Sequence, residues 1–121
     1  MKITGIELEE IDILYILTTT YESDAIDYWV QFEKVERASS VVPEVDTLIT
    51  KIYIKELNDT ETDFTIPHII DRDVIIKGVE KIVKGEIDAP RIREMILNDD
   101  IDSDGSDCIV QAGLFGEIKY G

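Results

Sequence analysis

The residues best spaced to do chemistry are Asp100, Asp102 and Asp104, three carboxylates at alternate positions followed by Gly105. That pattern opens a calcium loop of the EF-hand type, where a sharp turn lets oxygens converge on a hard cation. A helix expected over 89–97 stands where the entering helix of such a loop belongs. Two positions depart from the pattern. The twelfth is Gln111, where a bidentate Glu should close the shell, and the eighth is Asp107, where an apolar residue is usual. Asp59, Glu61 and Asp63 alternate in the same way but lack the glycine, so no second loop pairs with the first. The competing expectation is a solvated acidic turn in which Asp104 or Asp107 caps the next helix.

The other reactive side chains stand alone. His68 is the only histidine, and it follows Pro67 at a strand end with no neighbouring ligands, which favours a structural role. Cys108 is the only cysteine, so an intrachain disulfide is excluded and a reducing compartment is the default. Carboxylates near Cys108 raise a thiol's pKa, which argues against a reactive thiolate and for a core position. With 27 Asp and Glu, a chance pair of carboxylates carries no information about glycosidase-type work. Gly113-Leu114-Phe115-Gly116 lacks a preceding strand and a basic neighbour, so helix termination explains it better than phosphate binding. There is no phosphate-cradling G-x-x-x-x-G-K loop and no Ser-centred elbow. The expectation is a protein that is not an enzyme, with no cofactor beyond calcium at the acidic loop.

The elements that must position these residues follow from periodicity. Ile3, Ile6 and Leu8 mark a first strand or the lead into a helix. From Glu9, the residues Ile11, Leu14, Tyr15, Leu17 and Tyr21 fit a helical face, with acids in the favourable first turn and a weak Thr18-Thr19-Thr20 tail. Ile26, Tyr28, Val30 and Phe32 alternate with polar neighbours as a half-buried strand does. In that register Trp29 points to the other side of the sheet. Uncovered and ringed by charge it would resemble an interface anchor, with Tyr53 as a cross-strand partner; a covering loop or helix is the alternative.

A second strand runs from Leu48 to Leu57 with Ile52 and Ile54 on one side and Lys51 and Lys55 on the other. A third holds Phe64, Ile66 and Ile69, with Pro67 placing it at an edge, and the short link 58–63 makes the pair an antiparallel hairpin. Residues 38–47 read as a surface loop. Asp71 or Asp73 caps a helix with Ile75, Val79, Ile82 and Val83 buried and Gly85 just past its end. Asp88 with Pro90 opens a short helix with Ile92, Met95 and Ile96. An acidic loop, 98–107, leads to a last helical turn or two ended by Gly113 and Gly116. The order predicts a single α+β domain over 1–121: a roughly three-stranded antiparallel sheet with the N-terminal helix and the C-terminal helices packed on one face.

Charge narrows the partners further. Twelve Lys and Arg oppose the acids, leaving −15 over 121 residues, while 44% apolar composition supports an ordinary core. Eight acids face Lys2 alone in residues 1–33, and nine face three bases in 86–121, whereas 34–85 are nearly balanced. Such a field repels nucleic acid and anionic membrane and attracts basic protein surfaces or cations. No apolar run suits a bilayer span or a signal peptide, so the expectation is a soluble, cytoplasmic protein.

The stretch Asp107-Cys108-Ile109-Val110-Gln111-Ala112-Gly113-Leu114-Phe115-Gly116-Glu117-Ile118-Lys119-Tyr120-Gly121 resembles the ending of small acidic proteins of bacteriophages and related mobile elements. The segment Leu14 to Tyr21 and the Tyr28-Trp29 pair are similar to the same group. The resemblance implies a setting and no activity. It agrees with an interaction protein that occupies a nucleic-acid-binding groove on a host defence protein, its carboxylates standing where phosphates would lie. Asp12, Glu22, Asp24, Asp27, Asp99, Asp100 and Asp102, with Trp29 as apolar anchor, are the expected contacts. A second reading is a protein that sequesters a small nucleotide signal through Arg37, Lys51, Lys55 and Arg72; a third is calcium-dependent regulation. Acidity that serves solubility alone is the bland alternative. A homodimer is also expected, because a three-stranded sheet with an uncovered aromatic face would gain by pairing.

Overall fold

A computed structural model describes residues 2–3, 6–38, 48–57 and 64–121. The element order is β1 (Lys2–Ile3), β2 (Ile6–Glu7), α1 (Glu10–Glu22), β3 (Val30–Arg37), β4 (Ile49–Leu57), β5 (Phe64–Ile70), α2 (Arg72–Val83), α3 (Pro90–Leu97) and α4 (Ser103–Phe115). Strands β3, β4 and β5 form one antiparallel sheet in that order, and β1 and β2 form a separate two-residue ribbon. The expected α+β architecture is therefore present. The expected loop over 38–47 and the link 58–63 lie, but for Ala38, outside the described residues.

Strand β4 keeps the alternation expected of it: Ile52 and Ile54 are buried while Lys51 and Lys55 are exposed. Helix α1 lies across β4, and α2 and α4 reach β5, so one face of the sheet is covered. Pro67 sits in the edge strand β5, where a missing N–H costs no ladder bond to a further strand. The outer face carries Lys34, Tyr53, Lys55, Pro67 and Ile69 around a shallow cavity of about 720 Å³.

Three expectations need correction. Residues 25–29 are turns, and the first sheet strand begins at Val30. Asp24 takes a left-handed φ of 57°, and Trp29 N–H bonds back to Ile26 C=O at 3.1 Å, so the turn buries Ile26 and Trp29, three apart, and exposes Tyr28, against the expected alternation. On α1 the buried residues are Ile13, Ile16, Leu17 and Thr20, while Ile11 and Tyr15 are exposed. Apolar residues surround that helix, so periodicity does not select the face. In its threonine tail the Thr18 and Thr20 hydroxyls are satisfied by donating to the Leu14 and Ile16 carbonyls at 2.7 and 2.8 Å.

The third correction concerns α4, which begins at Ser103 and turns half of the expected acidic loop into helix. Asp102, rather than Asp104 or Asp107, is its cap, accepting from Gly105 N–H at 2.9 Å. Gly116, with φ 73°, ends the helix, but Gly113 lies inside it. Gly113 faces the Val74 carbonyl of α2, and Gly78 of α2 faces the Ile109 carbonyl of α4, so the two helices approach backbone to backbone. Asp71 caps α2 as expected, accepting from Asp73 and Val74 N–H at 3.1 and 3.2 Å.

Candidate functional site

Two clefts follow the seam where α1 meets α4 and the α3–α4 turn. One, of about 410 Å³, is lined by Glu7 and Asp12 from the N-terminal segment and by Asp99 and Ser106 from the C-terminal one. The other, of about 550 Å³, has Asp24 on one side and Asp104 and Asp107 on the other. Acids distant in sequence thus converge along one side of the molecule. Among the described residues Arg91 is the one base lining either cleft, and Asp104 holds it at 3.3 Å.

Of the expected contact residues, Asp12, Asp24 and Asp99 line these clefts. Asp27 and Asp100 are exposed near them in sequence, Asp102 is spent as the helix cap, and Glu22 reaches Arg37 at 3.9 Å. Trp29 is not an anchor: it is 0% exposed, with Nε1 donating to Asp107 Oδ1 at 3.0 Å and its ring stacked on Tyr120. Its neighbour Tyr28 is the exposed aromatic, at 51%. Tyr53 does not meet Trp29 either. It pairs with Lys34 across the strands, under that residue's ammonium, and its hydroxyl donates to Glu36.

Asp100, Asp102 and Asp104 do not gather around a point, and among the described residues no cluster of three or more His, Cys, Asp or Glu is placed to hold a metal ion. Of the bases expected to bind phosphates, Arg37, Lys55 and Arg72 are engaged by carboxylates, while Lys51 is exposed on β4. Arg72 forms a fork with Glu10 at 2.8 and 3.0 Å and also touches Asp73, while Lys55 meets Glu33 at 3.3 Å. Cys108 is half-buried, and burial together with Asp107 and Asp104 pushes its thiol up, so it is a poor nucleophile.

A buried polar network closes one end of the molecule, and sequence reasoning missed it. Asp107 accepts from Trp29, from the Tyr28 hydroxyl at 2.5 Å and from Gln111 Nε2 at 2.8 Å. Gln111 Oε1 in turn accepts the backbone N–H groups of Lys119 and Tyr120 at 2.8 and 2.7 Å, which fixes residues 119–120 against the core. Beyond them Glu56, buried at the end of β4, accepts from Lys119 Nζ at 2.7 Å and the Tyr120 hydroxyl at 2.5 Å, and its other oxygen meets His68 Nε2 at 2.7 Å. His68 pairs across the sheet with Ile54, on the covered face, and its ring packs edge-on to Phe115. The expectation that His68 has no neighbouring ligand is corrected by Glu56, 2.7 Å from its Nε2.

Burial would raise the Glu56 carboxyl, but its bonds to Lys119, Tyr120 and His68 outweigh burial and hold it below the ordinary carboxylate range. A lowered folded pKa contributes stability above the unfolded value, and this is lost as pH falls through the folded one. Acid titration should therefore release the 119–120 segment, read as a change in Trp29 fluorescence as Tyr120 leaves its ring. Acid also relieves self-repulsion across the whole chain, so the diagnostic is the difference from Glu56→Gln, which should lack this component. Identical acid profiles for the two proteins would exclude the linkage.

Comparison with known proteins finds no matching protein family, no similar curated protein and no similar solved structure.

Proposed function

We propose that this chain is an interaction protein whose acidic α1–α4 seam occupies a basic surface on a partner protein, of the kind that otherwise holds nucleic acid. The observation that carries this reading is the convergence of Asp12, Asp24, Asp99 and Asp104 from both ends of the chain onto clefts lined, among the described residues, by a single base. Scattered acids would serve solubility equally well. Acids lining concave surfaces beside an exposed Tyr28 offer a partner both charge and contact area. The field of −15 would speed encounter with such a partner and reject anionic competitors.

The test is association with a panel of purified basic nucleic-acid-binding proteins, with duplex DNA as competitor. Raising the ionic strength from about 0.01 to about 1 M shortens the Debye length from about 30 to about 3 Å and should abolish binding. Neutralising Asp12, Asp24 and Asp99 together as asparagines should weaken it on the order of tenfold, as loss of several rim charges does. Glu86→Gln, at a residue that lines neither cleft, should leave it unchanged. Binding indifferent to salt and to the triple substitution sinks the proposal.

A further inference from the structure

The smaller cleft has a feature that acidity alone does not explain. Ser106 lines it, and the Ser106 hydroxyl is fully buried with no hydrogen-bond partner among the described residues. An orphan buried hydroxyl is costly, and a helical serine ordinarily satisfies itself on the carbonyl one turn back. Here the Asp102 carbonyl takes the backbone N–H of Ser106 at 2.9 Å, and the side chain turns elsewhere. The walls around it are apolar, with Ile16 and Ile96 buried and Ile101 half-buried, and carboxylates line the same cleft at Asp12 and Asp99.

Resting on the reading above, we propose that this cleft receives a primary alkylammonium, supplied by a lysine side chain of the basic partner. A four-carbon stem would lie along the isoleucines, and the ammonium would donate to Ser106 Oγ and to the carboxylates, which gives the hydroxyl oxygen the donor it lacks. The cavity of about 410 Å³ admits such a chain with water to spare. A metal ion is the poorer occupant, because the carboxylates are not gathered as a coordination shell. An anion is excluded by the same carboxylates, and a purely apolar group would leave Ser106 unsatisfied.

The probe is n-butylammonium chloride titrated into the full chain, with amide shifts followed by NMR and n-butanol as the neutral control. Saturable shifts at Ile16, Ile101 and Ser106, with affinity on the order of millimolar for so small a ligand, are expected from the amine and not from the alcohol. Asp99→Asn should weaken binding about two- to fivefold, the range of an exposed ion pair, and its left-handed φ of 53° suits asparagine, so the fold is kept. Ser106→Ala should weaken binding while raising the Tm of the free protein, a combination that a merely structural serine would not give. The proposal is overturned by an absence of saturable shifts, by equal shifts from the alcohol, or by affinity untouched in both variants. If butylammonium fails while partner association keeps its salt dependence, the pocket assignment falls and the acidic seam stands. If partner association itself fails its test, the seam is lost whatever the amine does.

Discussion

Gly113→Ala lowers stability by about 2 kcal/mol or more, although alanine is the better helix former by about 1 kcal/mol. A Cβ at Gly113 would lie 2.0 Å from the Val74 carbonyl oxygen, and one at Gly78 would lie 2.0 Å from that of Ile109. Both obstacles are backbone, so no side chain can turn aside and α2 and α4 must separate. Overpacking of this kind costs about 1–3 kcal/mol, and rigid neighbours put it at the upper end. Once the helices have parted, the second substitution meets less resistance, so Gly78→Ala with Gly113→Ala should cost less than the sum of the two. Gly105→Ala is the contrast: its Cβ would meet the Ile101 and Met95 side chains at 3.0 and 3.1 Å, which can shift, and the propensity gain should offset much of the cost. Thermal denaturation followed by circular dichroism reads all four, at about 4 °C per kcal/mol for a domain of this size. If Gly113→Ala is neutral or stabilising, the two helices are not in backbone contact.

Those glycines also show where sequence reading stops. Gly113 and Gly116 look alike in the chain, two residues before and one after the last helical residue, yet one permits contact and the other a left-handed turn. Nothing local distinguishes them, because the reason for Gly113 lies in a helix thirty-odd residues earlier. The elements that were legible have local causes: the alternation of β4, the Asp71 cap of α2, and Pro90 at the start of α3. Helix α4 was read short because its first turn is acidic, and acids beside an Asp cap are favoured there by the helix dipole.

The candidate site was half legible by the same logic. Asp12, Asp24 and Asp99 were singled out by charge, and charge places them on the surface. Trp29 was misassigned because a turn stood where a strand was expected. Glu56 left one usable signal: Ile52 and Ile54 face inward, and position 56 continues that face, so a carboxylate there must find partners. Its partners Lys119 and Tyr120 lie 63 and 64 residues away, beyond any local pattern.

Asp107→Ala should cost about 3 kcal/mol, the sum of two buried donors left without their acceptor at roughly 1–3 kcal/mol each. Among the described residues Trp29 Nε1 has no other acceptor in its stacked, buried position, and Gln111 Nε2 would keep only weaker bonds, at 3.2 Å to the Tyr120 carbonyl and 3.4 Å to the Tyr28 hydroxyl. Tyr28 is half-exposed and can turn to water, so its lost bond adds little. Trp29→Phe removes one of the stranded donors in advance. In that background Asp107→Ala should therefore cost about 1–2 kcal/mol less, the coupling energy of a double-mutant cycle for groups in direct contact. Chemical denaturation of the four proteins measures it. The same substitution should lower the Tyr28 hydroxyl pKa, which burial and the Asp107 carboxylate together hold well above the ordinary phenol value. A group so raised contributes stability below its unfolded pKa that is lost as pH rises through the folded one, so the cost of Asp107→Ala should shrink in strong alkali. Additive costs in the cycle would mean that Trp29 and Asp107 do not share a bond.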